Sequence, residues 1–342
     1  MSQKQIALIG SGRMAEIYGT TLLEHSNVSI AAVIGNTQEK TTRLANKLNA
    51  KAYSNGDISF VLDSSSQLDG IVVATPEWIR VDLLSKLIPL NKKLLVEKPL
   101  VTSRSDLNTL QKFGPKLLQN ISVTHSLRFN PKFSQAKKLL NDLGEIRHIH
   151  ARRTGCLRTV KRVLGKTPLA FWLTCHDVDL MRWYTSSEVT SVTAVSRNQL
   201  QSDDDYLIAT LTFENGVHAI EEVSWCSPSL SSSAPACVFT VFGTKGMLQI
   251  EDSSSNVLLF KENNQVISTD TEDYYEIEGC YEGTFKHLVN CWLDSIEDKR
   301  KFPISFEQAA KSIEVCAKIE DAIHLSSVAQ QKTRDSLPEV RA

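Results

Sequence analysis

No stretch of this 342-residue sequence approaches the about 18 to 20 consecutive apolar residues that cross a bilayer, so a membrane span is not expected. Charge of one sign is equally scarce: 38 Lys and Arg stand against 39 Asp and Glu, a formal net charge of −1. With no basic field and no basic run, neither nucleic acid nor an anionic lipid surface is an expected partner. The seven cysteines (Cys156, Cys175, Cys226, Cys237, Cys280, Cys291, Cys316) are scattered, odd in number and never spaced C-x-x-C. That excludes the common zinc and redox patterns and predicts reduced thiols with no metal centre. The segment before Gly12 holds only the short apolar run Ile6 to Ile9, too brief for a signal h-region. A cytoplasmic protein without internal repeats is the expectation.

What the chain does have is an ordinary globular composition, 42% hydrophobic and 23% charged. Its length favours two cores of roughly 100 to 200 residues each. Up to Asn120, short apolar runs alternate with helical patterns, the mark of right-handed βαβ crossovers and a parallel sheet. Strands are predicted at Gln5 to Ile9, Ile30 to Ile34, Ala52 to Tyr53, Gly70 to Ala74 and Leu94 to Val96, with a sixth at Ser122 to Ser126. Helices fall between them near Met14 to Glu24, Gln38 to Leu48 and Ile79 to Leu87. After Asn130-Pro131 the rhythm changes to a helix near Lys132 to Asn141, a strand Ile146 to Arg153 and a helix Pro168 to Tyr184. Thr167 can cap that last helix, and Pro168 suits its first position because the missing N–H has no partner there. From Val189 to Phe260 the pattern is mostly β. In Tyr206 to Phe213, Leu207, Ala209, Leu211 and Phe213 alternate with Ile208, Thr210 and Thr212, predicting one buried face and one half-polar face suited to another subunit. Ser227 to Pro235 reads as a mobile loop, and amphipathic helices are predicted near Glu282 to Glu297 and Phe306 to Ser326.

The turn Gly10-Ser11-Gly12-Arg13-Met14-Ala15 leaves an apolar strand and opens a helix, the context in which G-x-G-x-x-G/A binds a dinucleotide. Gly10 permits the tight turn, Gly12 the approach of pyrophosphate, and Ala15 close helix packing, while the helix N-terminus offers N–H groups to the phosphates. An NAD-preferring site would carry an acidic residue about 20 residues on; this chain has Gly35-Asn36-Thr37. With no carboxylate to repel a 2′-phosphate, and with Lys40 and Arg43 in the following helix, NADP is permitted and slightly favoured over NAD.

Two more strand-end loops, Ala74-Thr75-Pro76 and Glu97-Lys98-Pro99, belong to the same C-terminal sheet edge. Together with the first turn, Arg128-Phe129-Asn130-Pro131 and the helix Trp172 to Trp183, they resemble the glucose-fructose oxidoreductase / inositol dehydrogenase (Gfo/Idh/MocA) family. The resemblance implies an α/β chain with a Rossmann doubly wound parallel sheet at 1–122 and an α+β substrate-binding and oligomerisation domain at 123–342, with an open, mostly antiparallel sheet. The C-terminal helices are free to pack back on the first domain, and a homodimer or homotetramer is implied. So is NAD(P)-dependent hydride transfer at a carbinol carbon of a sugar, inositol or sugar derivative.

Gly10, Ser11, Gly12, Arg13, Met14, Asn36, Thr37, Ala74, Thr75, Pro76, Glu97 and Lys98 form the expected cofactor-binding set. Lys98, following a buried strand, is placed to hydrogen-bond the reacting oxygen. His176 suits general acid–base work because histidine ordinarily titrates near neutrality. On an unbroken α-helix Trp172, His176, Asp179 and Trp183 share a face, so Asp179 can orient the imidazole or bind a hydroxyl, whereas Asp177 points about 100 degrees away. The inositol dehydrogenase-like members carry an aspartate at the place of Trp172, whose indole offers a flat wall to a sugar's C–H face instead. Arg80, where many members have histidine, reads as a solvated helix residue. Arg128, Arg152 and Arg153 add positive charge suited to a phosphorylated or acidic sugar. The alternatives are a non-catalytic NAD(P)-binding sensor or scaffold and an NAD-dependent glycoside hydrolase of the same fold.

Overall fold

The structure, a computed structural model, describes residues 3–156, 163, 165–197, 205–227, 236–252, 258–260, 266–268 and 272–336. The predicted loop Ser227 to Pro235 lies almost wholly outside them. Contacts divide the chain into two compact units, one of Met1–Ser134, Asn256–Leu259 and Ile267–Lys311, the other of Gln135–Ser255, Phe260–Val266 and Ser312–Ala342. The division therefore falls at 134/135 rather than 122/123, and the first unit is completed by residues from late in the chain. Among the described residues no helix is long and apolar enough to cross a membrane.

In the first unit, strands Lys4–Ile9 (β1), Val28–Ile34 (β2), Lys51–Tyr53 (β3), Gly70–Val73 (β4), Lys93–Val96 (β5) and Ile121–Val123 (β6) form one sheet in the order β3-β2-β1-β4-β5-β6. Every pairing is parallel. The apolar runs of β1, β4 and β5 are continuous because both faces are covered by crossover helices, and Ile6, Leu8, Val72, Val73, Leu95 and Val96 are all buried. Helices Arg13–Leu23 (α1), Gln38–Lys47 (α2), Ser59–Asp63 (α3), Arg80–Leu87 (α4), Arg104–Gln111 (α5) and Pro115–Leu118 (α6) lie along the crossovers.

The sixth strand stops at Val123, not Ser126. There the chain turns into a 3-10 turn at Ser126–Phe129, and Asn130 Oδ1 caps the next segment by accepting the Lys132 N–H (3.0 Å) ahead of helix Pro131–Leu139 (α7). The open edge of β6 is met from late in the sequence, where Val123 N–H donates to Ile304 O (3.0 Å) and Ser122 bridges Ser305, so it is not left as a bare template.

In the second unit, Ile146–Cys156 (β7), Val189–Arg197 (β8), Tyr206–Phe213 (β9), His218–Ser227 (β10), Ala236–Gly243 (β11) and Met247–Asp252 (β12) pair in the order β12-β11-β7-β10-β9-β8. Only β7 and β10 run parallel, so the sheet is mixed and mostly antiparallel. Its inner face buries Ile149, Ala151, Leu207, Ala209, Leu211, Val223, Phe239 and Val241, beside helix Cys175–Thr185 (α8), which contacts β7. The alternate positions, among them His148, His150, Arg152, Thr210, Ile220 and Val195, are exposed.

Helix Thr284–Ile296 (α9) belongs to the first unit. Its apolar stripe Leu288, Val289, Trp292 and Leu293 is buried. Phe285 meets the Tyr18 ring of α1 edge-on at 5.9 Å, and Asn290 bonds His25 at 2.8 Å. The last helix, Phe306–Ser336 (α10), runs past the Ser326 expected from periodicity.

Candidate active site

The turn after β1 has the shape its glycines predict. Gly10 takes φ +131°, a region closed to side chains, and a Cβ there would stand 2.3 Å from Ala74 O. Gly12 is exposed, and a Cβ on it would meet nothing within 4 Å, so main chain alone borders open space at the helix start. Gly12 is also the N-cap of α1 and carries no side-chain cap, leaving first-turn N–H groups directed outward. Ser11 and Met14 are half-buried, Arg13 is exposed, and Ala15 is buried under the helix. At the end of β2, Gly35 is packed so tightly that a Cβ would clash with Thr41 Oγ1 at 2.1 Å and Ser11 Oγ at 2.5 Å, while Asn36, Thr37, Lys40 and Arg43 are exposed. This cradle fits a dinucleotide pyrophosphate.

Register brings the other two loops alongside. Ile9 pairs with Val73 and Val73 with Val96; the Ala74 N–H donates to Ile9 O (2.8 Å) and the Glu97 N–H to Val73 O (3.0 Å). Ala74-Thr75-Pro76 and Glu97-Lys98 therefore emerge next to the phosphate turn, at the point where strand order reverses. Thr75 Oγ1 is a buried hydroxyl with no hydrogen-bond partner among the described residues, as a loop shaped for a ligand would leave it. Lys98 is half-buried, its N–H donates to Thr124 Oγ1 (3.2 Å), and the Lys98–Pro99 peptide is cis.

Arg80 corrects the sequence reading. It is not solvated but 1% exposed. Its Nη1 donates to Glu97 O (2.5 Å) and to Pro99 O, and its Nη2 to Thr75 O (2.5 Å). From α1, the Tyr18 hydroxyl donates to the Glu97 carboxylate. Burial first, and then the Glu97 charge, holds the Tyr18 phenol well above its usual range, so it keeps that proton. Arg128 is also buried, in the 3-10 turn of the same unit.

The second unit carries the other predicted residues. Before α8 the helix widens into a π-helical turn, Ala170–Thr174, a distortion frequent at functional sites. Trp172 sits half-buried on that turn, so its angular relation to His176 is not that of an unbroken α-helix. His176 is half-buried, Asp179 buried.

Asp177 faces the sheet, where Arg153 Nε and Nη2 meet its two oxygens at 2.6 and 2.8 Å; Nη2 also reaches Cys237 Sγ at 3.2 Å. Beside them lies Glu221, fully buried, neither oxygen met by a donor among the described residues. Burial, then the Asp177 charge, pushes its carboxyl well above the usual range, so one arginine balances one carboxylate and the second keeps its proton. Arg152 is the neighbour of Arg153 by sequence but not by face. Strand alternation turns it outward and exposed, away from α8, which corrects its grouping with the helix residues. The signal for this cluster was present, since Arg153 and Glu221 interrupt inward registers otherwise filled by Ile149 and Ala151 and by Ala219 and Val223.

Residues 4–125 match the family model described as an oxidoreductase family with an NAD-binding Rossmann fold, and residues 133–249 match that of the GFO/IDH/MocA C-terminal domain. Among curated relatives, a 2,7-anhydro-N-acetylneuraminate hydratase of Mediterraneibacter gnavus is 23% identical over 72% of this chain and 66% of its own. The scyllo-inositol 2-dehydrogenase (NAD(+)) of Bacillus subtilis is 23% identical over 66% of this chain and 68% of its own. The solved structure of GenD2 from gentamicin A biosynthesis, in complex with NAD, superposes with a TM-score of 0.78 at 21% identity over 95% of both chains, a likeness of fold. With both of its domain models matched in order along one sequence, the chain belongs to the Gfo/Idh/MocA oxidoreductase family.

Proposed function

We propose that this protein is an NAD(P)-dependent dehydrogenase or reductase acting on a secondary alcohol of a sugar, inositol or sugar derivative, with Lys98 and His176 handling the proton. The observation that carries the reading is the register Ile9–Val73–Val96, which sets the phosphate turn, the Thr75-Pro76 loop and Lys98 side by side at one sheet edge. When bound there, the nicotinamide supplies a two-electron acceptor or donor. Gly10 to Met14 hold the pyrophosphate through main-chain N–H groups, and Asn36 and Thr37 face the adenosine ribose. Lys98 donates a hydrogen bond to the reacting oxygen, and His176 takes or returns its proton. Trp172 offers a face to the ring C–H groups, Asp179 and Arg128 support substrate binding, and Arg152, turned outward, leaves that set. NADP is accepted beside NAD, and slightly favoured, because Asn36 places no carboxylate near the 2′ position.

Nicotinamide absorbance with both cofactors, against myo-inositol, scyllo-inositol, glucose, glucose 6-phosphate and UDP-N-acetylglucosamine, tests the assignment. Turnover that is abolished in Lys98→Ala and His176→Ala supports it. Tight cofactor binding with no turnover across the panel refutes it in favour of a sensor. The hydratase relative favours one further reading, in which the substrate is transiently oxidised and the cofactor is reduced and then re-oxidised within one cycle; product formation with no net change in nicotinamide absorbance identifies that case. Self-association through the outer sheet face, where Ile220 and Val195 are 44% and 43% exposed, accompanies the proposal and is read by sedimentation of wild type against Ile220→Glu.

A further inference from the structure

Arg80 sits at the first position of α4, at the same sheet edge, and its Nη1 and Nη2 donate to main-chain carbonyls. Its planar fork of N–H donors meets carbonyls from two loops at once: Thr75 O in one, Glu97 O and Pro99 O in the other. The latter two flank Lys98. Tyr18 holds the Glu97 carboxylate from α1, and Thr124 Oγ1 takes the Lys98 N–H at 3.2 Å. The peptide bearing Lys98 is thus fixed at its own N–H, at the residue before and at the residue after. The same guanidinium anchors the neighbouring cofactor-facing loop. A buried cation serving only to fill a core is a costly choice, because its charge must be compensated by well-placed acceptors; here three such acceptors, Thr75 O, Glu97 O and Pro99 O, belong to the two loops whose spacing governs the proposed chemistry.

We propose that Arg80 is a positioning residue which, with Tyr18, sets the distance between the Thr75-Pro76 loop and Lys98, and that turnover depends on this clamp. The inference rests on the reading of Lys98 given above. Arg80→Lys keeps the charge and loses the fork; Tyr18→Phe removes one hydroxyl. Each is compared with wild type and Lys98→Ala in four measurements: kcat and KM on the best alcohol of the panel, NADH affinity by nicotinamide fluorescence, the melting temperature, and the rate of Lys98 labelling by trinitrobenzenesulfonate, followed by peptide mass spectrometry.

The expected result is NADH affinity within about threefold of wild type, since the phosphate turn is untouched, with kcat down roughly 100-fold in Arg80→Lys and about tenfold in Tyr18→Phe at little change in KM. Such losses are the scale of an ångström-sized misplacement. Lys98 labelling rises severalfold in both variants as the loop loosens, a readout that needs no substrate. Wild-type kcat and labelling in a folded Arg80→Lys overturn the clamp, as does a kcat loss that disappears once the assay is moved well below the variant's melting temperature. If Arg80→Lys does not fold, Tyr18→Phe decides, and wild-type kcat and labelling there overturn it equally. Normal turnover in Lys98→Ala overturns the reading of Lys98 and the clamp with it, whereas a dead Lys98→Ala beside a fully active Arg80→Lys overturns the clamp alone.

Discussion

Replacing Glu221 with glutamine should make the protein more stable at neutral and alkaline pH, because burial and the Asp177 charge keep the wild-type carboxyl protonated, and giving up that proton as pH rises costs stability. The folded-state pKa lies above the unfolded value of 4.5, so the native state binds a proton that the unfolded chain has released. The stabilising contribution is then complete below the unfolded pKa and is lost as pH rises through the window up to the folded pKa. Within that window the loss is about 1.4 kcal/mol for each pH unit, since one proton is at stake. For a unit of this size that is roughly 3 to 5 °C of melting temperature per pH unit. Glutamine preserves the shape and has no proton to lose. Thermal unfolding of wild type and Glu221→Gln, followed from about pH 5 to about pH 8, should therefore diverge, with wild type falling relative to the variant as pH rises. Two melting curves that stay parallel across the range would refute the neutral, buried carboxyl and the charge count that places one arginine against one carboxylate.

The partner group gives the opposite sign: Arg153→Met strands Asp177, which is 0% exposed as a side chain, and should cost about 3 to 5 kcal/mol in denaturant titrations. Gly10→Ala puts a Cβ 2.3 Å from Ala74 O at φ +131° and should abolish NADH fluorescence enhancement while the second unit still folds, as read by its share of the circular dichroism. Asn36→Asp places a carboxylate beside the 2′ position and should weaken NADPH binding at least about tenfold, or 1.4 kcal/mol, with NADH little changed; equal effects on both cofactors would remove Asn36 from the ribose site.

Much of the first unit is legible because its physics is local. Continuous apolar runs such as Ile71 to Val73 mark strands covered on both faces, and a glycine turn between such a run and a helix has few other uses. Helix α5 is not evident from periodicity, yet Ser103-x-x-Asp106 spells its cap, and the Ser103 side chain accepts the Asp106 N–H at 3.0 Å. Buried charge is the harder class. Arg80, Arg153, Asp177 and Glu221 read as surface residues by type, and only partners far away in sequence make their burial tolerable. For the strand residues the inward register of an alternating pattern was the available clue; Arg80, on a short helix, had none. The π-helical turn before His176 is likewise invisible in spacing, because widening one turn requires no special residue.

The return of residues from Ile267 to Lys311 to the first unit has a consequence in time. A ribosome finishes the six strands of the nucleotide sheet early, but β6 is paired with Ile304 and Ser305, and α1 is covered by α9, only when most of the chain has been made. Until then the nascent sheet presents an unpaired strand edge and an uncovered apolar helix face, the features that invite mispairing during synthesis. The strands of the second sheet emerge before the first unit can close, so a chain stopped between Asp252 and Ile304 carries every residue of the phosphate turn and still lacks the residues that meet the open edge of β6.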